Sequence, residues 1–273
     1  MPNSSHDTVS NDTVAAPRWI AGPPPAADAP LRLFCFAHAG GGTSCYRSWR
    51  AALGPAIDTA PVLLPGRETR IRETPYRRME ELIPALCAAL EPQLDRPYAL
   101  FGHSMGAIVA FETARWFSAR GAGPTCLIVS GRLAPRVANP RRRFCGLPDE
   151  QFLAALAALG GTPSAVLAEP QLLRMLMPAL RADFELNETY RPAAGWRLTC
   201  PVVAYLGADD PEVEPAEALR WREETTAAFT LRVFPGGHFY LADRPEITDA
   251  IRQDLRLADL GENQGRPAAN ARS

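Results

Sequence analysis

Leu100-Phe101-Gly102-His103-Ser104-Met105-Gly106-Ala107 is the stretch from which the rest of the chain can be read. Ahead of it, residues 96–101 form a short apolar run with the character of a buried strand. Behind it, Ala107–Arg120 carries Ile108, Val109, Phe111, Ala114 and Phe117 at helical spacing. A strand, a G-x-S-x-G turn and a helix together make a nucleophile elbow. Gly102 and Gly106 flank a turn too sharp for side chains, and the serine between them is expected in a strained conformation. That strain would aim Ser104 Oγ out of the sheet, above the positive end of the following helix. The pattern also occurs by chance in plain tight turns; its strand–helix setting favours catalysis.

Upstream, Leu31–Phe36 reads as an apolar strand that runs into Ala37-His38-Ala39-Gly40-Gly41-Gly42. Such a loop can be a flexible turn, a phosphate cradle or a source of oxyanion donors. No G-x-G-x-x-G or Walker spacing supports the phosphate reading. In a serine hydrolase the first oxyanion donor comes from this loop and the second is the amide after the nucleophile. The candidates are the backbone amides of Ala39 and Met105. A helix over about 43–53 and a strand over 60–64 follow, ending at Pro65-Gly66-Arg67-Glu68. Arg67 and Arg70 then fall on a loop near the site rim, or are solvated charges, or pair locally with Glu68. Glu80–Leu94 reads as helix with Pro84 at its start or kinking it.

Downstream, Thr125–Ser130 is another buried strand, after which the pattern changes from Ala134 to Trp196. Arg141-Arg142-Arg143 is a basic cluster suited to solvent or to an acidic partner. One helix starts at Pro148, Gly160-Gly161 breaks it, and a second spans 169–190 with Leu172, Leu173, Leu176, Leu180 and Phe184 on one side. So long a helical stretch between two core strands implies an inserted lid at about 134–196, or an insertion with a structural role only. The sheet resumes at 201–206, stopping at Gly207-Ala208-Asp209-Asp210. A helix over 215–225 and a strand over 230–234 follow, then Pro235-Gly236-Gly237-His238-Phe239 and a helix over 245–257. The expected organisation is a disordered tail at 1–28, an α/β domain at 29–258, and a loose tail at 259–273.

A serine hydroxyl needs a base to become a nucleophile. There are four histidines. His6 sits in the tail, and His103 precedes the serine and points elsewhere, bracing the elbow. His38 lies in the glycine loop as a binding or structural residue. His238 follows a strand at the same sheet edge as the elbow and is the candidate base. Asp209 and Asp210 close the preceding strand, and Asp210 is preferred as the carboxylate that orients the base. The chain order Ser…Asp…His is that of an α/β-hydrolase. The fold expected is therefore a mostly parallel sheet with helices on both faces and the inserted lid, its site at the strands' carboxyl ends.

Composition restricts the alternatives. The 273 residues can bury one large core, and a formal net charge of −1 gives no pull toward nucleic acid or membrane. All 29 basic residues are arginine, which removes lysine Schiff-base and P-loop chemistry. Six scattered cysteines without C-x-x-C spacing indicate neither disulfides nor a zinc site. Met1–Pro30 has no apolar core of a signal peptide, and no stretch is long enough to span a bilayer, so the expected compartment is the cytoplasm. The sequons at Asn3, Asn11 and Asn187 are then coincidental.

The chain resembles the type II (external) thioesterases of non-ribosomal peptide and polyketide biosynthesis, from about Leu31 to Arg256. The likeness is carried by F-A-H-A-G-G-G at 36–42 with Trp49, L-P-G-R-E at 64–68, G-H-S-M-G-A at 102–107, G-A-D-D at 207–210 and G-G-H-F at 236–239. Ala37 departs from the proline common at that position. The resemblance implies Ser104, Asp210 and His238 as nucleophile, acid and base, and Ala39 and Met105 as oxyanion donors. It implies an acyl thioester substrate on the phosphopantetheine arm of an acyl or peptidyl carrier protein, with no metal or other cofactor; a monomer that contacts its carrier transiently is the default expectation. Two alternatives are an acyltransferase or small-molecule esterase with the same triad, and a non-catalytic carrier-docking protein.

Overall fold

The computed structural model describes residues 19–22, 26, 28–137, 144–161, 166, 168–193, 195–241 and 244–263. The strands are β1 (Leu31–Phe36), β2 (Ile57–Pro61), β3 (Tyr98–His103), β4 (Cys126–Ser130), β5 (Val202–Gly207) and β6 (Phe229–Phe234). The helices are α1 (Trp49–Leu53), α2 (Met79–Leu90), α3 (Met105–Ser118), α4 (Asp149–Leu159), α5 (Pro170–Thr189), α6 (Pro215–Ala218) and α7 (Pro245–Asn263). The strands form one sheet in the order β2-β1-β3-β4-β5-β6, every neighbouring pair parallel. Parallel strands need crossovers, which cover both faces and make the strands read as unbroken apolar runs.

Alternate residues of each strand serve opposite faces. Phe34, Phe36 and Leu100 pack with Leu82 and Leu86 of α2 and Ile108 and Phe111 of α3. Leu33, Cys35 and Phe101 pack with Trp49 of α1 and Ile247 and Ile251 of α7. Each such side chain, fully buried, contributes about 1.5–3 kcal/mol. The strand order reverses between β1 and β3, and the crevice at their carboxyl ends is where open α/β sheets place their sites.

Several boundaries differ from expectation for identifiable reasons. Strand β2 starts at Ile57, three residues before the apolar run at 60–64, because its one charged residue is paired inside. Asp58 Oδ2 accepts from Arg32 Nε of β1 at 2.9 Å, both side chains 2% exposed. Part of the expected disordered tail is laid against this edge: Ile20 bridges Val62 antiparallel, and Leu63 N donates to Trp19 O at 2.8 Å. Residues 1–18 lie outside the described ones. Helix α2 keeps Pro84 inside it and passes into a 3₁₀ turn at Glu91–Gln93, where Pro92 disfavours further α-helix. The helix expected at 43–53 is a 3₁₀ turn at Thr43–Tyr46 followed by α1. The one expected at 215–225 is α6 followed by a 3₁₀ stretch at Leu219–Glu224. Helix α7 continues through Gly261 to Asn263, past the domain end expected at 258; one glycine costs a helix only about 1 kcal/mol.

Helices α4 and α5 form the insertion between β4 and β5. They have an apolar cluster of their own, with Phe144 and Phe184 ring centres 4.3 Å apart and Phe152, Leu156 and Leu180 around them. Leu172, counted with the buried side of α5, instead faces solvent at 37% exposure; Leu173, Leu180 and Phe184 carry the buried stripe. The Arg141-Arg142-Arg143 cluster lies outside the described residues. No described helix is long and apolar enough to cross a membrane.

Candidate active site

Strand β3 ends at His103 and α3 begins at Met105, so Ser104 alone makes the turn, with φ 55° and ψ −117°. A non-glycine residue in that region carries strain of about 1–3 kcal/mol, which its surroundings must hold. Ser104 N donates to Ser130 O of β4 at 2.8 Å, and Ala107 N donates to Ser104 O at 3.1 Å. A Cβ on Gly102 would drive into the Gly106 carbonyl, and one on Gly106 into the Phe36 carbonyl. Glycine at both positions is therefore a steric requirement of the elbow.

His238 follows β6 on the loop that crosses the end of β5. Its Nδ1 lies 2.9 Å from Asp210 Oδ2 and 3.1 Å from Oδ1, with both residues buried. Asp210 Oδ1 also accepts from Glu212 N at 2.8 Å, which fixes the carboxylate. Asp209 is exposed and has no part in this contact. With Nδ1 taken by Asp210, Nε2 is the ring nitrogen left for the cavity that His238 shares with Ser104. Among the described residues no hydrogen bond joins Ser104 to His238; the two meet through that cavity.

Two more histidines pack beside His238. The His103 ring centre is 5.0 Å from that of His238, and His38 lies 5.9 Å from His103. His103 Nδ1 and Ser130 Oγ hydrogen-bond at 2.9 Å, and Ser130 Oγ and Tyr240 Oη at 2.6 Å. His103 is thus tied to the β4 end and to the His238 loop, a bracing that includes Ser130 and Tyr240, which the sequence did not single out. Burial first, then the neighbouring His238, pushes the His38 pKa down from 6.5 to about 4. The same two causes hold His103 well below the ordinary histidine value. Both are neutral near pH 7, and a neutral ring adds no positive charge beside His238.

The glycine loop is held from two directions. Gly41 N donates to His38 O at 2.9 Å, and Gly40 N donates to Asp183 Oδ2 of α5 at 2.7 Å. Arg67 grips the same carboxylate with both ends of its fork, at 2.7 and 2.9 Å, and donates to Gly41 O at 3.0 Å. Arg67 is therefore a buried brace behind the loop and does not line the cavity, contrary to the rim position expected from sequence. Glu68, its sequence neighbour, accepts instead from Ser44 N and Thr43 Oγ1. Gly40 has φ +75°, and a Cβ there would collide with Leu180 of α5, so the insertion rests directly on the loop. No acceptor for Ala39 N or Met105 N is found among the described residues. Asp183 went unnoticed in the sequence, although a carboxylate three positions after Leu180 belongs to the buried side of α5.

Ser104, His238, His38 and Ala39 line one cavity with about 790 Å³ of empty space including its open mouth. Leu156, Phe184 and Phe239 form its apolar wall, and Arg132, Asn187 and Glu212 its polar one. Its mixed lining, an apolar wall with a few polar groups, suits an organic ligand. Among the described residues no group of His, Cys, Asp and Glu could hold a metal ion.

Residues 31–255 match the thioesterase-domain family. The chain belongs to that family. It is 44% identical over 242 residues to thioesterase PikA5 of Streptomyces venezuelae, covering 87% of this chain and 85% of that protein. Among solved structures it superimposes on the type II thioesterase BorB of a borrelidin biosynthetic cluster with a TM-score of 0.79 at 40% identity, over 88% of this chain and 97% of BorB. The RedJ thioesterase of the prodiginine pathway in Streptomyces coelicolor gives 0.78 at 38% identity, over 93% and 97%. This thioesterase-family chain thus shares its α/β-hydrolase fold with thioesterases of biosynthetic clusters and pathways.

Proposed function

We propose that the chain is a type II thioesterase that releases acyl groups from the phosphopantetheine arm of acyl or peptidyl carrier proteins. The observation that carries this reading is a strained Ser104 facing, across one cavity, a His238 whose Nδ1 is held by Asp210. With its proton on Nδ1, His238 can accept the Ser104 proton at Nε2. Ser104 Oγ attacks the thioester carbonyl, and the oxyanion forms beside the Ala39 and Met105 amides. Each such donor is worth about 3 kcal/mol in the transition state. Collapse breaks the C–S bond and releases the pantetheine thiol, protonated by His238. Water, deprotonated by His238, then attacks the acyl-enzyme and regenerates Ser104. The α4–α5 insertion acts as a lid, and Asp183 ties its position to the geometry of the Ala39 loop. This chemistry calls for no metal or redox cofactor. The biological role would be removal of stalled or wrong acyl groups from an assembly line.

The test is deacylation of an acyl-loaded carrier protein by wild type and Ser104→Ala, with the matching acyl-pantetheine alongside. Fast release from the carrier that depends on Ser104, with slower release from the free arm, is the expected result. Equal or better turnover of the free arm would favour a general esterase or thioesterase. Labelling of Ser104 by a fluorophosphonate without release from either substrate would favour transfer to an acceptor other than water.

A further inference from the structure

Strand β4 lies beside the nucleophile strand, with His103 opposite Ser130, so whatever follows β4 is delivered to the site. Arg132 follows two residues later and lines the cavity with Ser104 and His238. Its Nε is buried without an acceptor, and its guanidinium forms no ion pair among the described residues. The fully buried arginines differ: Arg32, Arg67 and Arg70 each hold a carboxylate.

The acidic groups nearby do not supply the missing partner. Glu188 lines the cavity, but its two oxygens accept from Phe144 N at 2.5 Å and Cys145 N at 3.0 Å. Glu212 lines it too, close enough to be felt electrostatically but not in ion-pair contact. Tyr190 is neutral, its pKa raised by burial. Asn187 Oδ1 is also buried without a partner. Desolvation lowers the Arg132 pKa to about 10, so the group stays charged at neutral pH. A half-buried guanidinium on a cavity wall, with no carboxylate in contact, matches a carboxylate ligand, which offers two acceptors in the same plane.

We infer that Arg132 is the anion-binding residue of the acyl pocket, and that the cavity accepts acyl thioesters whose chain carries a carboxylate. The inference rests on the thioesterase reading above. The chain's methylenes would lie against Leu133, Phe144, Leu156 and Phe184 while its far end reaches Arg132.

The experiment compares succinyl-, butyryl- and monomethylsuccinyl-pantetheine as substrates of the full chain, for wild type, Arg132→Met and Arg132→Lys. The three acyl groups differ at the far end in charge and shape, the methyl ester keeping the oxygens without the charge. Wild type is expected to hydrolyse the succinyl thioester at least as efficiently as the butyryl one. Arg132→Met should lower kcat/KM for succinyl at least tenfold, mainly through KM, and leave the two uncharged substrates unchanged or improved. Arg132→Lys, which keeps the charge and loses the fork, should lose severalfold on succinyl alone, and it carries the test if Arg132→Met does not fold. Equal losses on all three substrates would overturn the inference and leave Arg132 a structural residue. Wild type that turns over butyryl and rejects succinyl would overturn it as well. The same three acyl groups loaded on a carrier protein carry the comparison if the free arm is not turned over; hydrolysis of none of the three in either form would bring down the thioesterase reading, and this subsite with it.

Discussion

Arg67 and Arg132 stand at the same site with opposite electrostatic histories. Arg67 is closed off by Asp183 and by the Gly41 carbonyl, and its charge is spent on joining the glycine loop to helix α5. Arg132 lines the cavity with no carboxylate in contact; an idle Nε is common to both, so the carboxylate is the difference. Taking Arg67 out of water is costly and is compensated from within the chain, whereas Arg132 is half-buried and has no such compensation. A paired cation of this kind positions backbone; an unpaired one on a cavity wall is set for a ligand.

The largest effect expected from this difference follows removal of the Asp183 carboxylate. Asp183→Ala strands Arg67 and releases Gly40 N, so urea unfolding should show a loss of about 3–5 kcal/mol. Deacylation should fall through kcat more than KM, because the Ala39 loop loosens. The paired replacement Arg67→Met with Asp183→Leu should recover much of the stability; a double variant as unstable as the single would mean that the stranded charge was not the cause.

A smaller effect is expected from pH, because His38 and His103 are buried without charge. Their folded-state pKa values lie below the ordinary 6.5, that of His38 at about 4. Between those values the unfolded chain binds protons that the folded chain does not, so stability falls as pH drops from about 6.5 to 4. Urea midpoints at pH 7 and pH 5 measure this, and His38→Gln should flatten part of the slope. Tyr240→Phe removes the hydroxyl that bonds Ser130 and should cost about 1 kcal/mol, with kcat changed only a few-fold. Smallest of all, Arg132→Met should alter stability by less than about 1 kcal/mol, since no partner is stranded. A loss as large as that of Asp183→Ala would erase the distinction between the two arginines.

Local sequence was enough for the parts of the molecule that one segment decides by itself. The elbow comes near to such a part: Gly102, Ser104 and Gly106 mark the turn within one segment, although it is the Phe36 carbonyl of β1 that excludes a side chain at Gly106. The six strands were legible from their apolar runs, as was the insertion from the change of pattern after Ala134. The start of β2 was not, because Asp58 reads as surface until Arg32 is seen beside it. Nor were the roles of Arg67, Asp183, Arg132, Ser130 and Tyr240. Each depends on a partner, or the lack of one, at a distant position: Arg67 and Asp183 are 116 residues apart, and Ser130 and Tyr240 are 110. A charge carries the same letter whether it is solvated, paired or left facing a cavity. Sequence determined the backbone framework and the chemistry available to it; tertiary structure decided which charges were neutralised inside the protein and which was left for something else, because desolvation and pairing exist only once distant segments are packed together.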